Sequence, residues 1–377
     1  MKALANTAGA ARDWLIGQAL PLWAQHGVDR ERGGFFEGLT SELTSVAAFK
    51  RLRVVTRQIY VFSAAHRLGF PGASAVVHHG LRFLLGNARH PEGGFAARFD
   101  LDGNSVDGTR DTYDLAFVLF ALAHAYSVTG EDALRREARE LLAFMQVQMR
   151  HPAGGFVEAL PPKLPRRQNP HMHLLEAALA WSAVDPQGPF SAVRDQLLDL
   201  FETRFLQRDR AYLPEYFAED LSVQPGATGA IFEPGHHFEW TWLLDQAGGH
   251  DTARDLLYRQ SAHLGVNPQT GFPYGEVTYD GAMVLPTPRL WTLTEWLKAE
   301  AVTPGDDQAQ RVARVWSGIA QFLATPTPGL WFERWDPQAG GFAREPSPAT
   351  TLYHLTLGIE VLLEAAGLHP APFAGGI

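Results

Sequence analysis

The sequence predicts an all-α fold, an (α/α)6 barrel of six helical hairpins with few and short strands. Three observations predict it: a glycine-rich turn that recurs roughly every sixty residues, a long apolar segment after each turn, and amphipathic segments in between. Six buried helices would form an inner ring and the amphipathic helices an outer ring. An open solenoid is the alternative, but nothing would make a solenoid stop at six repeats.

The recurring turn is a Gly-Gly-Phe sequence. Four copies are intact, a fifth is degenerate, and the segment YLPEYF at 212–217 stands where the remaining copy is expected. The five recognisable copies begin at Gly33, Gly93, Gly154, Thr270 and Gly340. We expect these segments to form short extended turns at one rim of the barrel.

The segments after the turns are apolar on nearly every side, which is typical of buried helices. They begin at Thr56, Asp111, His171, His236, Arg289 and Leu352. Segments with one charged face, at 131–149, 190–206 and 307–324, read as outer helices. Because no proline-rich or charged linker divides the chain, we expect one catalytic domain over 1–377.

Composition excludes several classes of function. The chain has 377 residues and a formal net charge of −9, so electrostatics give no reason to expect a nucleic acid or an anionic membrane as partner. It has no cysteine, which excludes disulfides, thiolate catalysis and cysteine-ligated metals. Arg12 and Asp13 interrupt the apolar core that a signal peptide would need. We expect a cytoplasmic protein, monomeric or homodimeric, that acts on a small molecule.

One position near the start of each buried helix is the main functional signal. In a closed barrel, equivalent positions of six repeats face the same axial cavity, and a purely structural barrel would place apolar residues there. The residues at these positions are Arg57, Tyr113, His173, His236, Trp291 and His354. The sequence therefore predicts a site with one guanidinium, one phenol, three imidazoles and one indole at one end of the barrel.

The stretch EPGHHFEW, at 233–240, contains two adjacent histidines. Glu239 lies three residues after His236, on the same helical face, whereas it is only two residues from His237. We therefore expect His236 to face the cavity with Glu239 holding its ring, and His237 to lie at the edge of the cavity or under the neighbouring turn. The partial positive charge of a helix N-terminus would keep His236 neutral and competent as a general base.

Glu176 lies three residues after His173, so two helices carry a His-x-x-Glu pair. Such pairs also occur in di-iron carboxylate sites, which need four helices and two further glutamates. Here Arg57 would face the metals, and a cation there opposes metal binding. We expect no metal and no other cofactor.

Several motifs resemble the N-acylglucosamine 2-epimerase superfamily, which includes D-mannose isomerase-like aldose–ketose isomerases, cellobiose 2-epimerases and the renin-binding protein. The resemblance covers nearly the whole chain. The matching motifs are TRQIY, TYDLAFVLFALA, NPHMHLLEA, PGHHFEWTWLL, RLWTLTEWLKA and LYHL. The chain departs from the usual pattern at Leu115, where the family often has histidine, and in WTLTE at 291–295, where it often has Trp-Pro-Gln-Thr-Glu. Both departures lie at positions that the resemblance places on the substrate-binding side of the site.

The resemblance implies acid–base chemistry at C2 of a reducing sugar. The implied catalytic residues are His236, His354, His173, Glu239 and Arg57. The implied substrate-binding residues are Tyr113, Asp114, Asn169, Glu176 and Trp291. We expect an isomerase that interconverts an aldose and a ketose of the mannose–fructose type through a cis-enediol.

Three alternatives remain open at the level of the sequence. The first is a 2-epimerase of N-acylglucosamine or of a cellobiose-type sugar, and the second is a binding protein without catalysis. The third is an (α/α)6 glycoside hydrolase, with Asp114 and Glu239 as its two carboxylates. A Glu239 that is unbonded and points into an open cavity would favour the hydrolase.

Overall fold

The chain forms two concentric rings of helices, and the computed structural model describes residues 2–371 and 373. The inner helices are α3 (Leu52–Arg67), α5 (Thr112–Thr129), α7 (Asn169–Val184), α9 (Pro234–Ala247), α11 (Leu290–Val302) and α13 (Ala349–Ala365). The outer helices are α4 (Ala73–Asn87), α6 (Asp132–Gln148), α8 (Phe190–Leu200, extended by a π-helical turn Phe201–Phe205), α10 (Asp251–Leu264) and α12 (Gln308–Leu323).

The sixth outer position is filled from the N-terminus. Helix α1 (Lys2–Trp14) continues through a π-helical turn (Leu15–Ala19) into α2 (Leu20–His26), and α1 packs against α12 and α13. The last inner helix, α13, packs against both α11 and α3. The two ends of the chain therefore close the ring, and the predicted (α/α)6 barrel is confirmed.

The two rings differ in how their helices are buried. Helix α5 carries a single charged residue, Asp114, and most of its residues are buried on every side. The outer helix α6 buries one stripe, which consists of Leu134, Glu137, Ala138, Leu141, Leu142 and Met145. That spacing follows the period of an amphipathic helix packed on one layer.

Four of the six inner helices, α3, α7, α9 and α13, begin earlier than their apolar segments indicate, whereas α5 and α11 begin one residue later. Helix α3 begins at Leu52 rather than Thr56, and α13 begins at Ala349 rather than Leu352. Arg57 and His354 therefore lie in the second turn of their helices. Arg53 in α3, and Thr350 and Thr351 in α13, interrupt the apolar pattern at these two helix starts.

The strands are all two or three residues long and pair antiparallel. They are β1 (Gly38–Leu39), β2 (Lys50–Arg51), β3 (Arg98–Phe99), β4 (Ser105–Asp107), β5 (Arg110–Asp111), β6 (Ala159–Leu160), β7 (Arg166–Arg167), β8 (Tyr216–Phe217), β9 (Ile231–Phe232), β10 (Glu276–Thr278), β11 (Met283–Leu285), β12 (Trp335–Asp336), β13 (Gly341–Phe342) and β14 (Ser347–Pro348). Several of them directly precede an inner helix, and β1 pairs with β14 across the closure of the ring. They form a rim at the N-terminal ends of the inner helices.

The glycine-rich turns lead from an outer helix to this rim. Both glycines of the second copy have positive φ, 91° at Gly93 and 76° at Gly94, a conformation that favours glycine. A Cβ at either position would also lie 2.8–2.9 Å from the ring of Phe144. YLPEYF occupies the fourth position as predicted, since Tyr212 bridges to Gln207 at the end of α8.

The prediction that the Gly-Gly-Phe sequence at Gly340 is a copy of the recurring turn is wrong. Gly341 and Phe342 form β13, which pairs with β12 in a separate hairpin. The sixth equivalent turn lies earlier, where the backbone N–H of Phe332 bonds to the carbonyl of Phe322 at the end of α12. Within the described residues, no helix is long and apolar enough to cross a lipid bilayer.

Candidate active site

The six predicted cavity residues come together at the N-terminal ends of the inner helices. The ring of Trp291 lies between two imidazoles, with centroids 5.2 Å from His236 and 5.6 Å from His354. On the other side, the rings of Tyr113 and His173 meet at 4.9 Å, and Arg57 donates a hydrogen bond to the Tyr113 hydroxyl. Equivalent positions of the six repeats therefore share one site, as the repeat spacing predicted.

The partner of His236 is Glu215 and not Glu239. Nδ1 of His236 lies 2.9 Å from Oε2 of Glu215, which belongs to the YLPEYF segment, and 3.9 Å from Glu233. Burial opposes a charge on the ring, but the two carboxylates outweigh it and raise the pKa of His236 to about 10. The expectation of a neutral His236 held by Glu239 is therefore wrong. Two nearby carboxylates act on this ring more strongly than the helix N-terminus does.

Asn169 contacts the other nitrogen of the same ring. Its side-chain amide lies 3.1 Å from His236 Nε2, and its oxygen has no partner within residues 2–371 and 373. Rotation of the amide exchanges its oxygen and nitrogen, so Asn169 can accept from a protonated Nε2 or donate to a bare one. This residue can therefore accommodate His236 in either protonation state.

His354 has a different electrostatic environment. Its Nδ1 lies 2.7 Å from Glu295 Oε1, and the second oxygen of Glu295 lies 2.5 Å from Nζ of Lys298. Burial lowers the pKa of His354 well below its usual value, and the nearby cations Arg57 and Lys298 add to the effect. The ring is neutral at physiological pH. With Nδ1–H donated to Glu295, the lone pair of Nε2 is available as a base.

His173 forms the predicted pair with Glu176, with Nδ1 3.0 Å from Oε2. The other oxygen of Glu176 accepts a 2.5 Å hydrogen bond from the hydroxyl of Tyr353. Both oxygens are thus used inside the protein, which places Glu176 behind His173 and away from the cavity surface. Burial lowers the pKa of His173 to about 3, so this ring is also neutral.

Glu239 makes no hydrogen bond within the described part of the chain. Its Oε1 lies 3.8 Å from His173 and 3.9 Å from Lys298, and the residue is only 1% exposed. It is therefore unbonded but does not face an open cavity. The second carboxylate of the hydrolase alternative, Asp114, is buried and lies 2.8 Å from Nε of Arg53. Neither acid has the free, solvent-facing position of a glycosidase carboxylate.

His237 lies under a neighbouring turn, as expected. Its Nε2 accepts a 3.1 Å hydrogen bond from the backbone N–H of Leu213, and its ring stacks on Phe232 with centroids 4.2 Å apart. Burial lowers its pKa to about 4. Helical spacing therefore distinguishes the two adjacent histidines correctly, but the partner that it predicts for His236 is wrong.

Among the residues that the structure describes, three groups of side chains have ligand atoms close enough together for a metal ion. The groups are His173 with Glu176 and Glu239, His236 with Glu215 and Glu233, and His354 with Glu239 and Glu295. In each group, Nδ1 of the histidine already faces a carboxylate at hydrogen-bond distance. Lys298 brings a positive charge beside the third group, which disfavours a second cation there.

Sequence reasoning missed three residues of the site: Glu215, Glu295 and Lys298. Glu295 and Lys298 are charged residues in a segment that is otherwise apolar all round, and both are fully buried. The sequence alone shows these charged residues within an otherwise apolar segment, and this pattern could have identified them. Glu215 follows a turn, and no helical spacing connects it with His236, so only the fold brings the two together.

The chain is similar to known proteins over most of its length. The sequence model described as N-acylglucosamine 2-epimerase (GlcNAc 2-epimerase) matches residues 33–358. A protein named mannose-6-phosphate isomerase from Rhizobium meliloti (strain 1021) is 35% identical over 370 residues, which cover 93% of this chain and 95% of that protein. A protein named D-mannose isomerase from Thermobifida fusca is 31% identical over 320 residues, covering 75% and 77%.

Solved structures show the same fold at lower identity. Cellobiose 2-epimerase from Bacillus thermoamylovorans superposes with a TM-score of 0.85 at 20% identity, covering 95% of this chain and 99% of that one. A crystal structure of D-mannose isomerase superposes with a TM-score of 0.83 at 18% identity, covering 95% and 97%. The similarity therefore extends over the complete double ring of helices.

Proposed function

Because the chain belongs to the N-acylglucosamine 2-epimerase family, we propose that it is an aldose–ketose isomerase for a sugar of the mannose–fructose type. The observation that carries the proposal is the contrast between two imidazoles on either side of Trp291. His236 is held as a cation, and His354 is held neutral. An acid and a base whose pKa values are pushed apart can act on the same substrate at one pH.

In the proposed reaction, Nε2 of His354 removes the proton from C2 of the open-chain aldose. Negative charge then develops on O1, where cationic His236 donates a proton and Arg57 adds positive charge. The neutral His236 takes the proton from the O2 hydroxyl, which completes the change from aldehyde to ketone. His354 returns its proton to C1 of the cis-enediol, and the product is the ketose. Trp291 offers a flat face against which the sugar chain can pack.

The roles of the remaining site residues follow from their contacts. Asn169 can accept a hydrogen bond from protonated His236 or donate one to the neutral ring. Glu215 and Glu295 orient the two imidazoles. Tyr113 and His173 lie on the opposite wall, where they would bind hydroxyl groups. We further propose a single catalytic domain, in the cytoplasm, that needs no metal or other cofactor and works as a monomer or homodimer.

A 2-epimerase is the second candidate, since relatives named cellobiose 2-epimerase and N-acylglucosamine 2-epimerase are 25% and 26% identical to this chain. In that reaction, His354 would remove the C2 proton and His236 would return one to the opposite face of C2. The same two residues would serve, and only the position of the second proton transfer differs.

Incubation in deuterated water, followed by NMR, separates the candidates. The sugars to test are mannose, mannose 6-phosphate, fructose, glucose, N-acetylmannosamine and cellobiose. The proposed isomerase converts a mannose-type aldose into the ketose, with deuterium entering at C1. An aldose epimer labelled at C2 as the main product would establish the epimerase instead. Hydrolysis of cellobiose would establish the hydrolase.

A further inference from the structure

Arg53 and Arg167 lie at the mouth of the site, further out than Arg57. Arg53 lies one helical turn before Arg57 on α3, and Arg167 lies just before the start of α7. Because α5 packs between α3 and α7, the two arginines lie on either side of Tyr113, near the start of α5. The side chains of Arg53 and Arg167 are 33% and 38% exposed. The mechanism proposed above uses neither of them.

Each of the two guanidinium groups contacts a carboxylate only through its Nε. Nε of Arg53 lies 2.8 Å from Asp114, and Nε of Arg167 lies 2.9 Å from Glu158. The terminal amino groups of both arginines form no hydrogen bond with the described part of the chain. A guanidinium that is oriented by its Nε and open at its terminal nitrogens is arranged to bind an anion with its fork.

The position of Arg53 fits the far end of a hexose. Its guanidinium carbon lies 4.9 Å from the centroid of the Tyr113 ring, and that of Arg57 lies 5.7 Å from the same ring. Four residues of helix separate the two arginines by about 6 Å along the barrel axis, and Arg53 is nearer the rim. When C1 and C2 lie between His236 and His354, C6 of an open chain extends toward the rim.

We propose that the substrate is a phosphorylated hexose and that Arg53, with Arg167, binds the phosphate at its C6 end. The inference rests on the proposed isomerase function and specifies its substrate. It also gives a role to Asp114, which orients Arg53 and does not touch the sugar. The anion could equally come from a carboxylate at C6, so the test includes a uronic acid.

The test compares kcat/KM for mannose 6-phosphate, mannose and mannuronate. We expect the wild-type enzyme to favour mannose 6-phosphate over mannose by at least about tenfold, the scale of a charge-assisted hydrogen bond. In Arg53→Gln, this ratio should fall about tenfold, and Arg167→Gln should reduce it less. Inorganic phosphate should compete with mannose 6-phosphate in the wild-type enzyme, and more weakly in Arg53→Gln.

Arg150→Gln is the matched control. It removes the same charge from an exposed arginine beside Gln196 on the outer ring, and should leave the ratio unchanged. Equal kcat/KM for the two sugars in the wild-type enzyme, or equal ratios in Arg53→Gln and Arg150→Gln, would overturn the inference. A preference for mannuronate over the phosphate would do the same. If neither mannose nor its phosphate yields a ketose, the proposed function itself fails.

Discussion

His236 lies 2.9 Å from Glu215, and this contact differs in one respect from the 2.7 Å contact between His354 and Glu295. The other donors to Glu215 are neutral, namely the backbone N–H of Glu233 and the amide of Gln168. Glu295 instead lies 2.5 Å from Lys298. Glu215 therefore stabilises a positive charge on His236. Burial and the neighbouring Glu239 raise the pKa of Glu295 well above its usual value, so Glu295 does not stabilise a charge on His354 in the same way. Two similar His–Glu pairs thus produce an acid and a base.

The first prediction concerns the alkaline limit of activity. If protonated His236 is the acid, kcat/KM should be retained up to alkaline pH and lost as the pH rises through about 10, where the folded enzyme releases this proton. Glu215→Gln removes the main stabilising charge, so the pKa of His236 falls and the alkaline limit should move to lower pH. A pH profile of kcat/KM for both proteins measures the shift.

Glu276→Gln serves as the control for that profile. Glu276 is a half-buried rim carboxylate that makes no hydrogen bond with His236. Its loss should leave the alkaline limit within a few tenths of a pH unit of the wild-type value. Profiles of Glu215→Gln and the wild-type enzyme that coincide would show that His236 is not the titrating acid.

The second prediction separates the histidines. His354→Ala and His236→Ala should each reduce kcat by at least about 10²-fold, the usual scale for losing general acid–base help. His173→Ala should have an intermediate effect, because its ring faces Tyr113 on the opposite wall. These rates are to be compared at saturating substrate, with thermal melting of each variant to confirm that it is folded.

His237→Ala is the matched control on the same helix as His236. It leaves the backbone N–H of Leu213 without an acceptor, which should destabilise the fold by about 1–3 kcal/mol. The folded fraction should keep most of its kcat, because His237 does not contact the site. An inactive but folded His237→Ala protein, together with a normal His236→Ala enzyme, would contradict this assignment.

The sequence could predict the architecture because each repeat carries its own local signal. Glycine pairs mark the first three turns, and continuous or one-sided apolar patterns separate inner from outer helices. The sixth outer helix could not be placed in this way, since it is formed by 2–26 and reaches its partner α13 only when the ring closes. The Gly-Gly-Phe sequence at Gly340 gives a wrong prediction because a glycine pair also fits the separate hairpin of β12 and β13.

The cavity residues could be predicted from their equivalent positions in the six repeats, but their hydrogen-bond partners could not. Helical spacing correctly paired His173 with Glu176, the one pair that lies within a single helix. His236 and His354 take their carboxylates from a rim segment and from a neighbouring helix. Contacts between helices depend on packing angles that no single segment specifies, and the protonation states depend on those contacts.

The third prediction concerns Lys298, which is fully buried among Glu295, Glu239 and Trp242. Lys298→Met would leave two buried carboxylates without their cation, so the free energy of unfolding should fall by about 3–5 kcal/mol. Urea denaturation at neutral pH measures this loss. Lys163→Met removes an exposed lysine and should change the stability by less than about 0.5 kcal/mol.

A second experiment tests whether the loss of stability in Lys298→Met comes from the unpaired carboxylate charge. The double variant Lys298→Met/Glu295→Gln removes one of the two stranded carboxylates, and should recover part of the stability that Lys298→Met loses. Its kcat should stay low, because the neutral amide no longer orients His354 as a base. A double variant that is less stable than Lys298→Met would show that Lys298 acts through packing and not through charge.

The last prediction concerns metals, because three groups of histidine and carboxylate atoms in the described chain are compact enough to hold one. The proposed mechanism needs the cation of His236 and the lone pair of His354, and a bound divalent ion would remove both. Activity should therefore survive prolonged dialysis against EDTA, with metal content followed by elemental analysis. Added Zn²⁺ should inhibit, since it competes with protons for the imidazoles. Loss of activity on chelation, restored by Mn²⁺ or Zn²⁺, would mean that the His–Glu pairs are ligands and that the acid–base assignment is wrong.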